Sequence, residues 1–232
     1  MKKTNNLKKL CFVLVLVLFL GADNLSASVF DDINIHGFLS QGMFLSTKNN
    51  YLPNSKNATF ELNEIAFSLS KQITPKLRVG FQLMSRDYGD LGNNEVDLDW
   101  GFADYRFADF LGVRMGKIKL PFGLYNESRD IDQARAMIML PQSIYDETRR
   151  EIFVGYEGIG LYGNLNLKSV GSVDYNVGTG ANRFKSDAVF FRYFTSLWNM
   201  TMLNLGLTNR TITGLDMTTK TFFIGQLLWN TP

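Results

Sequence analysis

Regular alternation of apolar and polar side chains over long stretches constrains this fold more than any other feature of the sequence. Residues 76–86 read KLRVGFQLMSR, with an apolar side chain at every second position as far as Leu83. Neighbouring side chains of a β-strand point to opposite faces, so this period of two indicates a strand between two different environments. One face carries Leu77, Val79, Phe81 and Leu83, and the other carries Arg78, Gly80, Gln82 and Arg86.

The same period recurs along the chain. In EVDLDWGF (residues 95–102) it predicts Val96, Leu98, Trp100 and Phe102 on one face, against Asp97, Asp99 and Gly101 on the other. About ten such segments are joined by turn-like connections, which predicts an all-β fold, an antiparallel up-and-down barrel. The segments are residues 33–45, 59–71, 75–87, 95–107, 109–119, 151–162, 170–180, 187–196, 199–208 and 217–229.

The length of these segments separates two kinds of β protein. Strands of soluble proteins average about 5–6 residues, whereas tilted transmembrane strands need about 9–11. Many of the predicted strands here have 9 to 13 residues. A soluble β-sandwich also alternates, with apolar side chains inside and polar ones in water. The long strands, the glycines at polar positions and the aromatic residues near strand ends favour a transmembrane barrel, with its aromatic girdles and polar lumen. Those aromatic residues are Phe60, Tyr88, Phe107, Tyr162, Trp198 and Trp229.

Residues 1–28 are predicted to be a signal peptide. Four lysines precede the apolar run LCFVLVLVLFLGA at residues 10–22, and small residues follow it. A helix needs about 20 residues to span a bilayer, so this run is too short, and cleavage is expected near Ser28. An uncleaved signal anchor is the alternative.

Removal of the signal peptide changes the charge of the chain. It takes four lysines and Asp23 from totals of 24 basic and 22 acidic residues, which leaves 20 and 21. The mature chain then has no basic excess that would attract nucleic acid. It also has no cysteine, because the single Cys11 is lost. Its stability is therefore expected to come from a large core or from a membrane rather than from disulfides.

One long interruption breaks the strand pattern, between Leu120 and Arg150. It reads LPFGLYNESRDIDQARAMIMLPQSIYDETRR, with weak helical character between Asp130 and Pro141. Long loops inside compact domains are usually functional. An ordinary extracellular loop is one interpretation. A loop folded into the barrel lumen is the other, and it would explain the apolar residues Ile131, Met137, Ile138, Met139 and Leu140.

Three stretches of the chain, GKIKLPFGLYNESRDID, LPQSIYDETRR and GYEGIGLYGNL, are similar to the porin superfamily of Gram-negative outer membranes. The chain resembles the phosphate-selective porin O and P type most, over about residues 33–180. The resemblance implies a large antiparallel barrel, sixteen-stranded and trimeric in porins, for passive diffusion of small hydrophilic solutes. It also implies that residues 120–150 form a constriction-type loop within a barrel of residues 29–232.

Two features depart from the family pattern. Residues 120–150 hold four arginines against five carboxylates, so phosphate specificity is not expected, although Lys117 and Lys119 nearby favour anions. The chain also ends in QLLWNTP, without the terminal aromatic residue of outer-membrane barrels and with Pro232, which has no N–H for a ladder. We therefore expect a chain truncated at its C-terminus rather than a complete ten-stranded barrel.

The candidate functional residues are the charged groups of a pore, which would set a size limit and a transverse field. The constriction candidates are Lys117, Lys119, Glu127, Arg129, Asp130, Asp132, Arg135, Arg149 and Arg150, and the lumen-wall candidates are Arg78, Arg86, Asp97 and Asp99. No enzymatic activity, metal or cofactor is expected, because His36 is the only histidine and no nucleophile elbow is present.

The predicted function is that of an outer-membrane channel. Its expected partners are the lipid bilayer, small hydrophilic solutes or anions, and further copies in a homotrimer, as the resemblance implies. The alternative is a non-conducting outer-membrane barrel, or an exported β-sandwich, with a structural or adhesive role.

Overall fold

The computed structural model describes residues 32–52, 55–89, 91–131, 136–184, 188–215 and 217–231. The described residues from Asn34 onward belong to one compact unit. The predicted signal peptide and the candidates Asp132 and Arg135 lie outside the described residues.

Eight antiparallel strands form one sheet in the described part of the chain, and each strand pairs with its neighbours in sequence. They are β1 (Ile33–Gln41), β2 (Asn63–Thr74), β3 (Leu77–Asp87), β4 (Val96–Ala108), β5 (Leu111–Lys119), β6 (Gly155–Asn166), β7 (Ser172–Arg183) and β8 (Thr218–Asn230). The all-β, up-and-down prediction is confirmed, and each of these strands begins and ends within four residues of a predicted one. The sheet is open, with β1 and β8 as its edges.

The prediction of about ten strands is wrong for the described residues, because no strand forms over 188–196 or 199–208. A helix, α2 (Val189–Asn204), takes their place, following the short α1 (Arg150–Phe153) in chain order. At its end, Gly206 has a φ of 71°. The N–H groups of Gly206 and Leu207 donate to the carbonyls of Leu203 and Met202. This is the hydrogen-bond pattern of a helix capped by a left-handed glycine.

The side chain of Trp198, expected near a strand end, therefore lies on a helix, where its indole N–H donates to the carbonyl of Arg210 at 2.9 Å. No helix in the described ranges combines the length and the apolarity needed to cross a bilayer.

One face of the sheet, the apolar face, carries large hydrophobic side chains that no other part of the described chain covers. Phe67 of β2 pairs with Leu83 of β3, and Ile159 of β6 lies in the same row as Phe223 of β8. All four are exposed, Phe223 to 82%. The opposite face, the polar face, carries hydrogen-bonded and charged groups. On it Arg114 lies 3.1 Å from Asp104, which also accepts from Tyr162 at 2.5 Å.

A β-bulge in β4 makes the predicted face wrong for two aromatic residues. The register shifts so that Gln82 pairs with Trp100 while Leu83 pairs with Leu98, which leaves Asp99 without its own partner. A bulge places two successive residues opposite one, so alternation fails at that point. Trp100 and Phe102 therefore lie on the polar face. Their rings are 5.3 Å apart, and the guanidinium of Arg114 lies over the Phe102 ring.

The small core lies on the polar face and depends on a glycine. Ile118, Leu120 and Tyr156 are buried together, with Phe102, Phe122, Phe222 and Ile224 packed against them. A Cβ atom at Gly178 would lie 2.0 Å from the Tyr156 hydroxyl. The ring of Tyr156 can therefore lie across β7 only because position 178 has no side chain.

The connections alternate between short turns and long segments. Two residues join β2 to β3 and two join β4 to β5, and residues 167–171 join β6 to β7. The other connections are residues 42–62, 88–95, 120–154 and 184–217. In an up-and-down sheet the short turns all lie at one end and the long segments at the other.

Candidate functional site

The longest described interruption of the strand pattern, residues 120–154, crosses from the end of β5 to the start of β6 and is called here the β5–β6 segment. Its side chains contact β3, β4 and β5 through the polar face. Its described part is built of turns, a 3-10 turn at Glu147–Arg149 and the four-residue α1. The helical character expected between Asp130 and Pro141 is not found over residues 136–140.

Seven charged side chains join this segment to the strands and are called here the ion-pair cluster. Most of them are nearly buried: Asp130 is 1%, Arg129 3% and Arg150 6% exposed. The cluster consists of Asp99, Asp130 and Glu147 with Arg86, Lys119, Arg129 and Arg150.

One half of the cluster is centred on Asp130. Its carboxylate accepts a hydrogen bond from Lys119 at 2.7 Å, and Arg150 lies 2.5 Å from the other oxygen in an ion pair that lacks hydrogen-bond geometry. Lys119 and Arg150 also reach Asp99 on the β4 bulge, at 3.0 and 3.4 Å. The bulge thus presents Asp99 to the same two cations that hold the segment.

The other half of the cluster is centred on Glu147. One carboxylate oxygen pairs with Arg86 of β3, and the other accepts from Arg129 at 2.6 Å. The backbone N–H of Glu147 donates to Gln142 at 3.0 Å. Glu147 therefore joins the segment to β3, and through Arg129 and Gln142 it also joins parts of the segment to each other.

Two neutral side chains complete the packing of the segment. Asn126, buried, donates to the carbonyls of Leu120 and Phe153 at 2.8 and 2.9 Å, and so closes both ends of the segment. The hydroxyl of Tyr145 accepts from the backbone N–H groups of residues 124 and 125 at 2.8 and 3.0 Å. The segment is thus held by its own polar contacts as well as by the strands.

The electrostatic state of the segment follows from these contacts. Burial alone raises the pKa of the Asp130 carboxyl, but Arg150 and Lys119 outweigh burial and hold that pKa well below its usual range. Burial also raises the pKa of the Glu147 carboxyl, but Arg86, Arg129 and Arg150 outweigh burial and lower that pKa to about 2. Burial and the neighbouring Arg150 lower the pKa of Arg129. Both carboxylates are consequently ionised at neutral pH, and the cluster as a whole holds four basic against three acidic side chains.

The structure brings together six of the thirteen predicted site residues. Lys119, Arg129, Asp130 and Arg150 of the constriction set meet Arg86 and Asp99 of the wall set in the ion-pair cluster.

Five other predicted residues lie outside the cluster. Arg149, exposed, pairs with Asp146 at 3.3 Å, and Glu127 is exposed. Arg78, exposed, donates to Ser70 at 3.2 Å, and Asp97 is exposed on β4. Lys117 donates to the Leu98 carbonyl and lies opposite Glu157. By its register Lys117 lies on the same face as Met115 and Ile159, the apolar face, so its expected place in the constriction is wrong.

Sequence reasoning did not single out Glu147, Asn126 or Tyr145, although each organises the segment. Glu147 follows Asp146, whose side chain accepts from the N–H of Thr148 and begins the 3-10 turn. An Asp before a short run ending in two arginines is a helix-start signal that could have located this turn. Nothing in the sequence distinguishes the buried Asn126 from a solvated loop asparagine.

A cleft lies beside the segment on the polar face. It has a volume of about 660 Å³, between the end of β1 and residues 136–139, and Glu64 and Tyr88 line it. Among the described residues, no group of three or more His, Cys, Asp or Glu side chains is arranged to hold a metal ion. The β5–β6 segment thus packs on the polar face of the sheet, and the cleft lies beside it.

Comparisons of the chain with protein-family models, with curated proteins and with solved structures found no match.

Proposed function

We propose that this chain forms the wall and the constriction of an outer-membrane channel of the porin type, which passes small hydrophilic solutes or ions by diffusion. The observation that carries the proposal is the contrast between the two sheet faces. One presents many exposed apolar side chains, among them Phe67, Met115, Ile159 and Phe223, and the other holds the β5–β6 segment on polar contacts. Exposed apolar surface of this extent marks an interaction site, and a lipid-facing band opposite a polar lumen accounts for both faces.

The ends of the strands support the same function. Outer-membrane barrels have short periplasmic turns and long extracellular loops, the alternation found along this chain. At the short-turn end, Tyr175 donates to the carbonyl of Phe110 at 2.7 Å and Trp229 donates to that of Val170 at 3.0 Å. Aromatic rings with a hydrogen-bonding edge suit the membrane–water interface.

We infer that the β5–β6 segment sets the size limit of the channel, as the resemblance to porins implies. The ion-pair cluster fixes the segment and pairs most of its buried charges, so that four basic and three acidic side chains leave an excess of one positive charge. The remaining field is assigned to the exposed Glu127 and Arg149. These two charges are opposite, so we propose weak ion preference and no phosphate specificity.

Export through a cleaved signal peptide and residence in the outer membrane belong to the same proposal. The exported β-sandwich is disfavoured, because the described strands form a single sheet with no second sheet over the apolar face. A non-conducting barrel would share this architecture, and conduction distinguishes it.

Planar-bilayer recording tests the proposal. Replacement of residues 127–146 by a short Gly/Ser linker should raise single-channel conductance and change the ratio of potassium to chloride permeability. The matched control shortens residues 208–215 of another long connection, and its conductance should equal that of the unaltered chain. Absence of conductance from the unaltered chain would contradict a channel, and an unchanged conductance in the 127–146 variant would contradict the constriction.

A further inference from the structure

Two charged side chains interrupt the apolar face in the middle of the sheet. Lys117 of β5 and Glu157 of β6 are partners across the ladder, on the same face as Met115 and Ile159, which are 58% and 42% exposed. Glu157 is exposed and Lys117 half-buried. In the described part of the chain no ion pair joins the two side chains, although their backbones are directly opposed. Charged groups on a lipid-facing surface are costly and usually functional, so this pair indicates a polar partner.

The position of the pair along the strands is that of lipid head groups. Leu165 of β6 lies in the row of Val173 and Trp229, at the short-turn end. Counted from Leu165, Glu157 is the ninth residue of β6 towards the long connections. A tilted strand crosses a bilayer in about 9–11 residues. With Trp229 at one boundary of the membrane, the pair therefore lies near the other.

A groove of about 450 Å³ on the apolar face contains the pair. The row that holds the two charges continues into small residues, Gly101 of β4 on one side and Ala181 of β7 on the other. The apolar part of the lining consists of Leu98, Met115 and Ile159. The small neighbours leave the charges accessible from both sides, and the apolar lining offers a surface for an acyl chain.

Both side chains keep hydrogen-bonding capacity for a ligand. The ammonium of Lys117 donates to the Leu98 carbonyl, and an ammonium has three donors, so further donors remain. The carboxylate of Glu157 offers acceptors only. An acidic lipid would bind to Lys117 but would be repelled by Glu157. A head group that carries a phosphate and an ammonium complements both charges.

We propose that Lys117 and Glu157 bind a membrane phospholipid whose head group carries a phosphate and a primary ammonium, as that of phosphatidylethanolamine does. Lys117 donates to the phosphate, Glu157 accepts from the ammonium, and an acyl chain lies along Met115 and Ile159. The inference rests on the proposed function, because only a membrane-inserted wall presents this face to lipid. The site lies between β4 and β7, away from both edges of the sheet, and so does not depend on what pairs with the edge strands.

Competition between lipids tests the site. The full chain is reconstituted in vesicles that contain equal parts of phosphatidylethanolamine, phosphatidylcholine and phosphatidylglycerol with identical acyl chains. Native mass spectrometry after extraction counts the lipids that stay bound. We expect phosphatidylethanolamine to be retained roughly fivefold or more over either competitor, since one basic side chain at a lipid surface has about that effect.

Two variants separate head-group binding from a cross-strand pair that only stabilises the sheet. Glu157→Gln should admit the acidic lipid, so that phosphatidylglycerol is retained at least as well as phosphatidylethanolamine. Lys117→Gln should lower retention of phosphatidylethanolamine roughly fivefold without raising that of phosphatidylglycerol. The matched control is Lys76→Gln, because Lys76 also donates to a carbonyl, that of Phe107 at 3.3 Å, but at the short-turn end. Its lipid ratios should equal those of the unaltered chain.

The other outcomes are equally definite. Equal retention of the three lipids by an inserted, conducting chain would overturn the lipid site and leave the channel in place. Identical lipid ratios in the unaltered chain and in both variants would overturn it as well. Lipid-free assemblies of two or more chains that separate in Lys117→Gln would assign the groove to a second copy instead. A chain that inserts into none of these vesicles would contradict the proposed function.

Discussion

Asp130 connects three parts of the chain through one buried carboxylate. It contacts Lys119 at the end of β5 and Arg150 at the start of α1, and both cations also reach Asp99 on β4. Burial of a charge is costly unless it is paired, so removal of one partner leaves an uncompensated group. The cluster therefore fixes the position of the segment, because the charges of the segment are paired only where these partners meet.

Replacement of that carboxylate by an amide should release the segment. We expect Asp130→Asn to destabilise its packing by roughly 3 kcal/mol or more, the usual cost of breaking a buried pair. Arg129 is 3% exposed, so trypsin should cleave after it only when the segment opens. Cleavage there, followed by mass spectrometry, should be roughly 100-fold faster in Asp130→Asn, since about 1.4 kcal/mol corresponds to a factor of ten.

The matched control is Asp109→Asn. Asp109 is a turn residue with a 96% exposed side chain, 4.0 Å from Arg106. Exposed pairs contribute about 0–1 kcal/mol, so cleavage after Arg129 should change less than about fivefold. Equal rates in the two variants would show that Asp130 does not hold the segment.

The β5–β6 segment should respond to acid as one element. The pKa of Glu147 is lowered to about 2 from an ordinary value of 4.5, and that of Asp130 is also lowered. A lowered carboxyl pKa contributes stability that is complete above the unfolded-state value and is lost as the pH falls through the folded-state value. The packing of the segment should therefore weaken between about pH 4.5 and 2.

A spin label at Ser143→Cys, in the Cys11→Ser background, reports this change, because Ser143 is an exposed residue of the segment. Its mobility should increase as the pH falls from 5 to 2, while a label at Thr179→Cys in β7 stays immobile. If both labels became mobile together, the whole sheet would be unfolding, and the segment would not be a separate acid-sensitive element.

Elements differ in how far the sequence predicts them. Residues 77–83 alternate cleanly and lie in β3, whereas residues 189–204 are rich in aromatic side chains, which favour strands, and nevertheless form α2. The signal missed there was Gly206, which ends the helix in a left-handed conformation. The site was predicted less completely than the strands. Charge pairing between Asp130, Arg150 and Asp99 joins residues far apart in sequence and depends on the tertiary structure.

Across the whole molecule, alternation predicts the direction of the side chains until the pairing register changes. The single extra residue in β4 moves Trp100 to the polar face, although its spacing from Leu98 predicts the apolar face. Trp229 keeps the predicted alternation, since its partner Val173 lies on the apolar face of β7. The two tryptophans therefore lie on opposite faces of the sheet.

Brominated lipids distinguish these sides, because bromine quenches indole fluorescence only at short range. The chain has three tryptophans, so two variants with one tryptophan each are sufficient, one retaining Trp229 and the other Trp100, with phenylalanine elsewhere. In reconstituted vesicles, Trp229 should be quenched by bromines near the headgroups, because it is exposed on the apolar face at the short-turn end. Trp100 should be quenched by aqueous iodide or acrylamide instead. Lipid quenching of Trp100 with none of Trp229 would invert the assigned faces, and lipid quenching of neither would place the sheet outside the bilayer.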